Sequence, residues 1–401
     1  MRESLHERPS SDVRFLYQVA MLVFVVTVSI GILNGLKVLT FERPQLLTHV
    51  HAGTIGWITL GAFATTFWIF GSAGGGAARW LGVLAAVAVP FYVAAFWSGN
   101  LPARAITGVP VLAAIVGVFV WVVARTRAAP LTVPRLAVLL ALFTLVLGSI
   151  IGVLVQVSLA TGTKLVPDSA IGGHVGAQVV GYLVLIAMAI SEWMLVPDTG
   201  RPPKLGIAQI VLPFVGGLLV MLGAMFDVQP LLGAFIPFEV VALAIYVWRI
   251  GPRLARVQWL RADPARQFGL MVPFLVADVA LLIRLITGVV SGEWPDFAQI
   301  PPWLVFGFDH AMFIGVMSNG LFGLVQETTR PRQAVLGWAD HVLFWGMNAG
   351  MIGFVASLVA NARDLERLFT PVMGGSILAA ILAYTLRLRA RPAPREACAP
   401  A

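Results

Sequence analysis

The chain has 401 residues, of which 59% are hydrophobic and 11% are charged, and its mean hydropathy is +0.88. This composition excludes a soluble globular domain and indicates a polytopic membrane protein. The net charge of +8 does not indicate a nucleic-acid partner, because the basic residues follow a membrane pattern. Of the 27 Lys and Arg residues, 20 lie on the predicted side of the N-terminus, 6 lie on the other side, and Arg284 lies within a helix. We therefore predict a bacterial inner-membrane protein in contact with lipids, with both termini in the cytoplasm.

Apolar segments long enough to cross about 30 Å of hydrocarbon recur along the chain. They predict an all-α, polytopic membrane bundle of about 12 transmembrane helices. We expect one domain over residues 1–390 and a disordered tail over 391–401. The predicted helices cover 14–38, 46–70, 78–98, 105–124, 135–160, 172–196, 206–226, 230–249, 267–291, 302–326, 334–360 and 371–389.

Cysteine ligands are almost absent from this sequence. The only cysteine, Cys398, lies in the predicted tail. An intrachain disulfide, covalent haem attachment through C-x-x-C-H and a thiolate iron–sulfur site are therefore excluded. A redox cofactor in this chain has to be bound by histidine.

Histidines recur at the start of the second, sixth and tenth predicted helices. His49 and His51 occur in H-V-H-A-G-T-I-G; His174 occurs in H-V-G-A-Q-V-V-G, and His310 occurs in D-H-A-M-F-I-G. His174 aligns with His49, and His310 aligns with His51. This recurrence at every fourth helix predicts a threefold pseudo-repeat of a four-helix unit. Because even-numbered helices run in one direction, all four histidines are expected in one layer at the outer side of the membrane.

Histidine in a membrane helix usually marks a functional site inside the bundle, and imidazole is a good ligand for haem iron and for copper. His49 and His51 point about 200° apart around their helix, so they cannot both face one cofactor. One is expected to face a haem with His310 opposite, and the other to serve a second site with His174. We take all four as candidate metal ligands. The alternative is that they are interhelical hydrogen-bonding residues.

The layout resembles the catalytic subunit of the haem–copper oxidase superfamily, with twelve helices and ligands on helices 2, 6 and 10. It is most similar to the cbb3-type oxidase and nitric oxide reductase branch, and to the haem- and copper-containing NnrS family. The NnrS motif H-x-H-x-x-x-x-G is matched by His49, His51 and Gly56. The motif H-A-x-x-x-G is matched by His310, Ala311 and Gly315.

The resemblance implies haem b bound by His49 and His310, with copper near His174. Two departures count against a respiratory terminal oxidase. The helix 10 position that holds the high-spin haem in the oxidases is Phe308 here, and no histidine occurs from Lys204 to Gly251, where the family has its copper-ligand pair. The standard oxygen-reducing binuclear centre cannot be assembled from these residues.

Arginines after helix 11 bind haem propionates in the superfamily, and Arg363 and Arg367 occupy that loop here. Interfacial anchoring is the alternative, because Asp364 and Glu366 lie beside them.

Buried charges supply a further expectation. Glu239 on helix 8 and Arg284 on helix 9 lie at similar depths, so we predict that they pair. A proton route through Glu239 or Asp278 is the alternative.

These features predict a haem-binding membrane protein that acts on a small diatomic gas, nitric oxide first, or in electron transfer with a redox partner or oxidase subunits. It would then be an oxidoreductase. The alternatives are a 12-helix secondary transporter, which predicts two six-helix repeats, and a copper-handling or assembly factor for an oxidase.

Overall fold

The computed structural model is an all-α bundle. The residues that it describes are 9–71, 76–127, 130–197, 200–294 and 299–390. The predicted disordered tail, 391–401, lies outside them.

The described residues contain twelve helices that are long and apolar enough to cross a membrane, which confirms the predicted bundle. The chain is therefore a multi-pass membrane protein. The helices are α1 (Ser11–Gly35), α2 (Arg43–Ile69), α3 (Gly76–Trp97), α4 (Leu101–Thr126), α5 (Val133–Thr161), α6 (Ala170–Leu195), α7 (Lys204–Met225), α8 (Gln229–Leu254), α9 (Ala265–Val290), α10 (Pro302–Arg332), α11 (Ala339–Val359) and α12 (Asp364–Arg389).

Local sequence explains several of the helix boundaries. The side chains of Ser10 and Asn100 accept hydrogen bonds from the first-turn amides of α1 and α4, which satisfies donors that have no partner within the helix. Proline in the first turn of α2, α4, α5, α8 and α10 costs no helical hydrogen bond there. Gly162 ends α5 with a φ of 71°, a conformation that most other residues adopt only with strain.

The three histidine-bearing helices form the centre of the bundle. In α2, α6 and α10, 78%, 83% and 72% of the apolar span is buried, compared with 28–50% in the other nine helices. A helix that is buried on nearly all sides belongs to the core. The nine outer helices surround these three, and α1 packs against α12 to close the ring.

Each central helix contains a π-helical segment that begins at the same position relative to the histidine motif. These segments are Ala52–Thr59 in α2, Ala177–Leu183 in α6 and Ala311–Ser318 in α10. The three starting alanines occupy equivalent places in the aligned motifs. π-helical turns are rare, so their recurrence at one position supports the threefold repeat independently of the histidines.

The packing of each central helix on the first helix of its own unit is also repeated. A glycine four residues after each starting alanine contacts α1, α5 or α9, so closely that a Cβ atom there would lie 2.2–3.0 Å from the facing side chain. The three contacts are Gly56 against Val23, Gly181 against Thr144, and Gly315 against Phe274. The bundle is thus three four-helix units, beginning at α1, α5 and α9, as predicted from the histidine spacing.

A buried ion pair joins α11 and α12 at the end of the bundle opposite the histidines. Nη1 of Arg387 lies 2.7 Å from Oδ1 of Asp340, and both side chains are fully buried. Tyr384 donates to the same oxygen at 3.0 Å, and Gln333 donates to the other carboxylate oxygen at 3.0 Å. The rest of the Arg387 guanidinium donates to two backbone carbonyls, so both charges are extensively hydrogen-bonded.

Candidate functional site

The four candidate histidines lie in the second and third turns of the three central helices. His49 and His51 belong to α2, His174 to α6 and His310 to α10. All four are half-buried, whereas His341 at the start of α11 is exposed. Because the three central helices are even-numbered members of an alternating bundle, the four imidazoles share one end of it.

His49 and His174 are each held by the first helix of their own unit. Nδ1 of His49 donates to the carbonyl oxygen of Thr27 on α1 at 2.8 Å. Nδ1 of His174 donates to the carbonyl oxygen of Gly148 on α5 at 2.7 Å. The two accepting positions are equivalent in the repeat. Thr27 lies four residues after Val23, which contacts the packing glycine of the first unit, and Gly148 lies four residues after Thr144, which contacts that of the second.

A glycine makes room for each of these two rings. A Cβ atom at Gly31 would lie 3.2 Å from Cε1 of His49, and a Cβ atom at Gly152 would lie 2.9 Å from Cε1 of His174. Each glycine lies four residues, or about one turn, after the carbonyl that accepts the hydrogen bond. The ring is therefore fixed by the carbonyl on one side and by a surface without a side chain on the other.

His51 and His310 are held within their own helices. Nδ1 of His51 donates to the carbonyl oxygen of Leu47 at 2.8 Å, and Nδ1 of His310 donates to that of Phe306 at 2.9 Å. In both cases the acceptor lies four residues earlier. The two histidines that align in sequence thus have the same hydrogen-bonding arrangement.

These hydrogen bonds determine the tautomer of all four rings. A backbone carbonyl only accepts, so Nδ1 carries the proton and Nε2 of the neutral ring has a free lone pair. Within the described residues, none of the four Nε2 atoms forms a hydrogen bond. A histidine that binds a metal through one nitrogen typically donates its other N–H to a carbonyl or carboxylate in this way.

The four histidines form two pairs. His310 interacts electrostatically with His49, and His51 interacts electrostatically with His174. His49 and His51 therefore face different neighbours, α10 and α6. No group of three or more His, Cys, Asp or Glu side chains is arranged to hold a metal ion in the described parts of the chain.

Aromatic rings contact one histidine of each pair. Phe354 lies 4.8 Å from the ring of His310 between centroids. Phe96 stacks on His51 at 3.8 Å, and Tyr92 meets the same imidazole edge-on at 6.1 Å. Apolar walls of this kind exclude water and suit a planar, mostly apolar ligand.

The resemblance also pointed to Arg363 and Arg367 as cofactor-binding residues. The structure places Arg367 at the start of α12, half-exposed, with Nη1 3.7 Å from Oδ1 of Asp364. The backbone of Arg363 is helical, but its side chain lies outside the described part of the chain.

Arg104 is the cation that sequence reasoning missed. It lies in the first turn of α4 with only 5% of its surface exposed. Its guanidinium donates to the carbonyl oxygen of Phe96 at 3.0 Å, lies over the Phe96 ring, and interacts electrostatically with His51. Its Nε has no partner among the described residues. This burial could not be predicted from the sequence, because Arg104 follows a loop and an arginine there is usually interfacial.

The predicted pair between Glu239 and Arg284 is wrong. Nη2 of Arg284 lies 2.6 Å from Oε1 of Glu293, and 43% of the arginine side chain is exposed. Glu239 and Asp278 are fully buried, and none of their four carboxylate oxygens has a hydrogen-bond partner among the described residues. Arg284 lies six residues after Asp278, about 240° around α9, so it faces outward while Asp278 faces α8 and α10.

Neither the scanned protein-family models nor the curated proteins match this chain. The structure itself defines a twelve-helix, multi-pass membrane protein with a threefold repeat. Two pairs of histidines with free Nε2 atoms lie between its central helices.

Proposed function

We propose that this protein binds a b-type haem between α2 and α10, and that His49 and His310 would hold it. The observation that carries the proposal is the pairing of two imidazoles from different helices, each with its Nδ1 proton given to a backbone carbonyl. Histidine nitrogen is a common ligand of haem iron, and both Nε2 atoms are free of hydrogen bonds to the described residues.

Electron transfer is the activity that this pair favours. When bound, the haem would supply one-electron chemistry, and His49 and His310 would be the residues that hold it. The roles of the residues are then structural. Thr27 and the Phe306 carbonyl orient the imidazoles, Gly31 leaves room for one of them, and Phe354 shields the other from water.

Nitric oxide handling is the second candidate function. It rests on the similarity of the histidine motifs to those of the NnrS family, and it requires the gas to displace one histidine. Oxygen reduction of the terminal-oxidase type is disfavoured, because Phe308 replaces the histidine that would bind a high-spin haem. The threefold repeat disfavours a secondary transporter built from two six-helix repeats. Metal analysis of the purified protein would distinguish a copper-handling factor from the haem protein that we propose.

The charge asymmetry supports a location in the bacterial inner membrane with both termini in the cytoplasm. The histidine layer would then lie near the outer surface, within reach of an external redox partner. A reporter enzyme that is active only outside the cytoplasm should remain silent when it is fused after Arg389. Activity of that fusion would reverse the orientation.

The test of haem binding is the absorption spectrum of the protein purified in detergent. We expect b-type bands in the reduced-minus-oxidised spectrum of the wild type and a loss of haem content in His310→Ala. His341→Ala is the matched control, because His341 is exposed and lies at the opposite end of the bundle. A wild-type protein without haem would refute the proposal.

Nitric oxide binding is tested on the same sample. Addition of nitric oxide to the reduced protein should shift the Soret band if the gas replaces a histidine. An unchanged spectrum favours electron transfer and removes the second candidate.

A further inference from the structure

The two histidine pairs are built by one rule. Each combines a histidine held by the neighbouring first helix of its unit with a histidine held within its own helix. His49 is of the first kind and His310 of the second. His174 is of the first kind and His51 of the second. The pair between α2 and α6 is therefore the pseudo-symmetric copy of the pair between α2 and α10.

The rule also shows which histidines are missing at the third interface, between α6 and α10. A third pair, between α6 and α10, would consist of the positions aligned with His49 in α10 and with His51 in α6. These positions are Phe308 and Gly176, and neither can bind a metal. The repeat offers three equivalent positions for a ligand, and this sequence supplies paired imidazoles at two.

Arg104 distinguishes the second pair from a simple metal-ion site. It is a buried cation that lies over the Phe96 ring on which His51 stacks; among the described residues its Nε has no hydrogen-bond partner and it forms no ion pair. A buried charge without a counter-charge is costly. A bare cuprous ion beside it would add positive charge, whereas a haem would bring two propionate carboxylates. Arginine binds carboxylates with short, charge-assisted hydrogen bonds.

We infer that His51 and His174 bind a second b-type haem between α2 and α6, with Arg104 donating to one of its propionates. This inference extends the proposed function, since it assumes that the first pair binds haem. The two haems would lie on nearly opposite faces of α2, because their ligands on that helix are two residues apart.

Haem stoichiometry tests the inference. Pyridine haemochrome analysis, with protein quantified by amino-acid analysis, should give two haems per chain for the wild type and for His341→Ala. It should give one for His174→Ala, one for His310→Ala and none for the double variant. Gly152→Ala provides a second route that keeps the imidazole, because its Cβ would lie 2.9 Å from Cε1 of His174. It should lose the same haem as His174→Ala.

The possible failures are distinguishable. No haem in the wild type overturns both proposals. One haem that is lost in His310→Ala and kept in His174→Ala overturns only the second site. One haem together with one copper that disappears in His174→Ala also overturns it, in favour of a copper site.

Arg104 is tested by redox titration. Arg104→Gln should lower the midpoint potential of one of the two haems and leave the other unchanged, because a cation near a propionate favours the reduced haem. Arg79→Gln is the control, since Arg79 is exposed at the other end of the bundle. Equal shifts in both haems, or no shift, would contradict the role of Arg104.

Discussion

The buried ion pair between Asp340 and Arg387 allows a stability prediction that is independent of any cofactor. Asp340→Ala removes the carboxylate that faces Nη1 of Arg387 at 2.7 Å. It also removes the acceptor for Tyr384 and Gln333. The arginine keeps its two bonds to backbone carbonyls, but its charge remains buried without a counter-ion.

Breaking a fully buried pair by removing one partner costs about 3–5 kcal/mol, because the remaining charge is uncompensated. We expect Asp340→Ala to lie in this range. The matched control is Asp168→Ala, which breaks the pair with Lys164 at the same distance of 2.7 Å. That pair is exposed, with 66% and 91% of its side chains accessible, so its loss should cost less than about 1 kcal/mol.

The assay is equilibrium unfolding in mixed micelles of increasing SDS content, followed by tryptophan fluorescence. The double variant Asp340→Leu, Arg387→Met should be more stable than Asp340→Ala, because it removes both charges together. Equal free energies of unfolding for Asp340→Ala and Asp168→Ala would refute the argument that burial sets the cost. A double variant less stable than Asp340→Ala would also refute it.

Two further variants test other parts of the structure. Gly31→Ala should reduce haem content by displacing the His49 ring, whose Cε1 would lie 3.2 Å from the new Cβ. Gly375→Ala should leave the haem content unchanged, because a Cβ at Gly375 meets open space. Equal haem content in both variants would contradict the role of Gly31. Glu239→Met should raise the free energy of unfolding by about 1–3 kcal/mol in the SDS assay, because it removes a buried carboxylate to which no described residue forms a hydrogen bond. A loss of stability would mean that Glu239 has a partner in the membrane.

The helices and the repeat could be predicted from the sequence, because both depend on composition and spacing. Hydropathy alone located the twelve helices, and histidines at every fourth helix gave the repeat. The two-residue spacing of His49 and His51 also required them to face different neighbours, and the structure places them beside different helices. Whether these histidines bind haem is a question that neither spacing nor packing answers, and it stays a prediction.

Features that depend on helix rotation and on contacts between distant segments could not be predicted from the sequence. The pairing of Glu239 with Arg284 was inferred from equal depth, but depth does not say which way a side chain points around its helix. The burial of Arg104 depends on the packing of α3 and α4 around Phe96. The π-helical segments arise from a shift in backbone hydrogen bonds, for which the sequence has no simple signature.

The interface between α6 and α10 shows that the backbone repeat does not depend on the presence of paired histidines. α6 keeps its π-helical segment and its packing glycine although Gly176 replaces one histidine, and α10 keeps both although Phe308 replaces the other. A further π-helical segment, Leu343–Met347, lies in the outer helix α11. The three segments at the equivalent positions of the central helices persist without a complete histidine pair. On α9, the position equivalent to Thr27 and Gly148 is Asp278, a buried carboxylate that has no hydrogen-bond partner among the described residues. Where the other two units anchor an imidazole, the third carries an aromatic side chain and an acid, so this interface has acquired a different chemistry within the same backbone geometry.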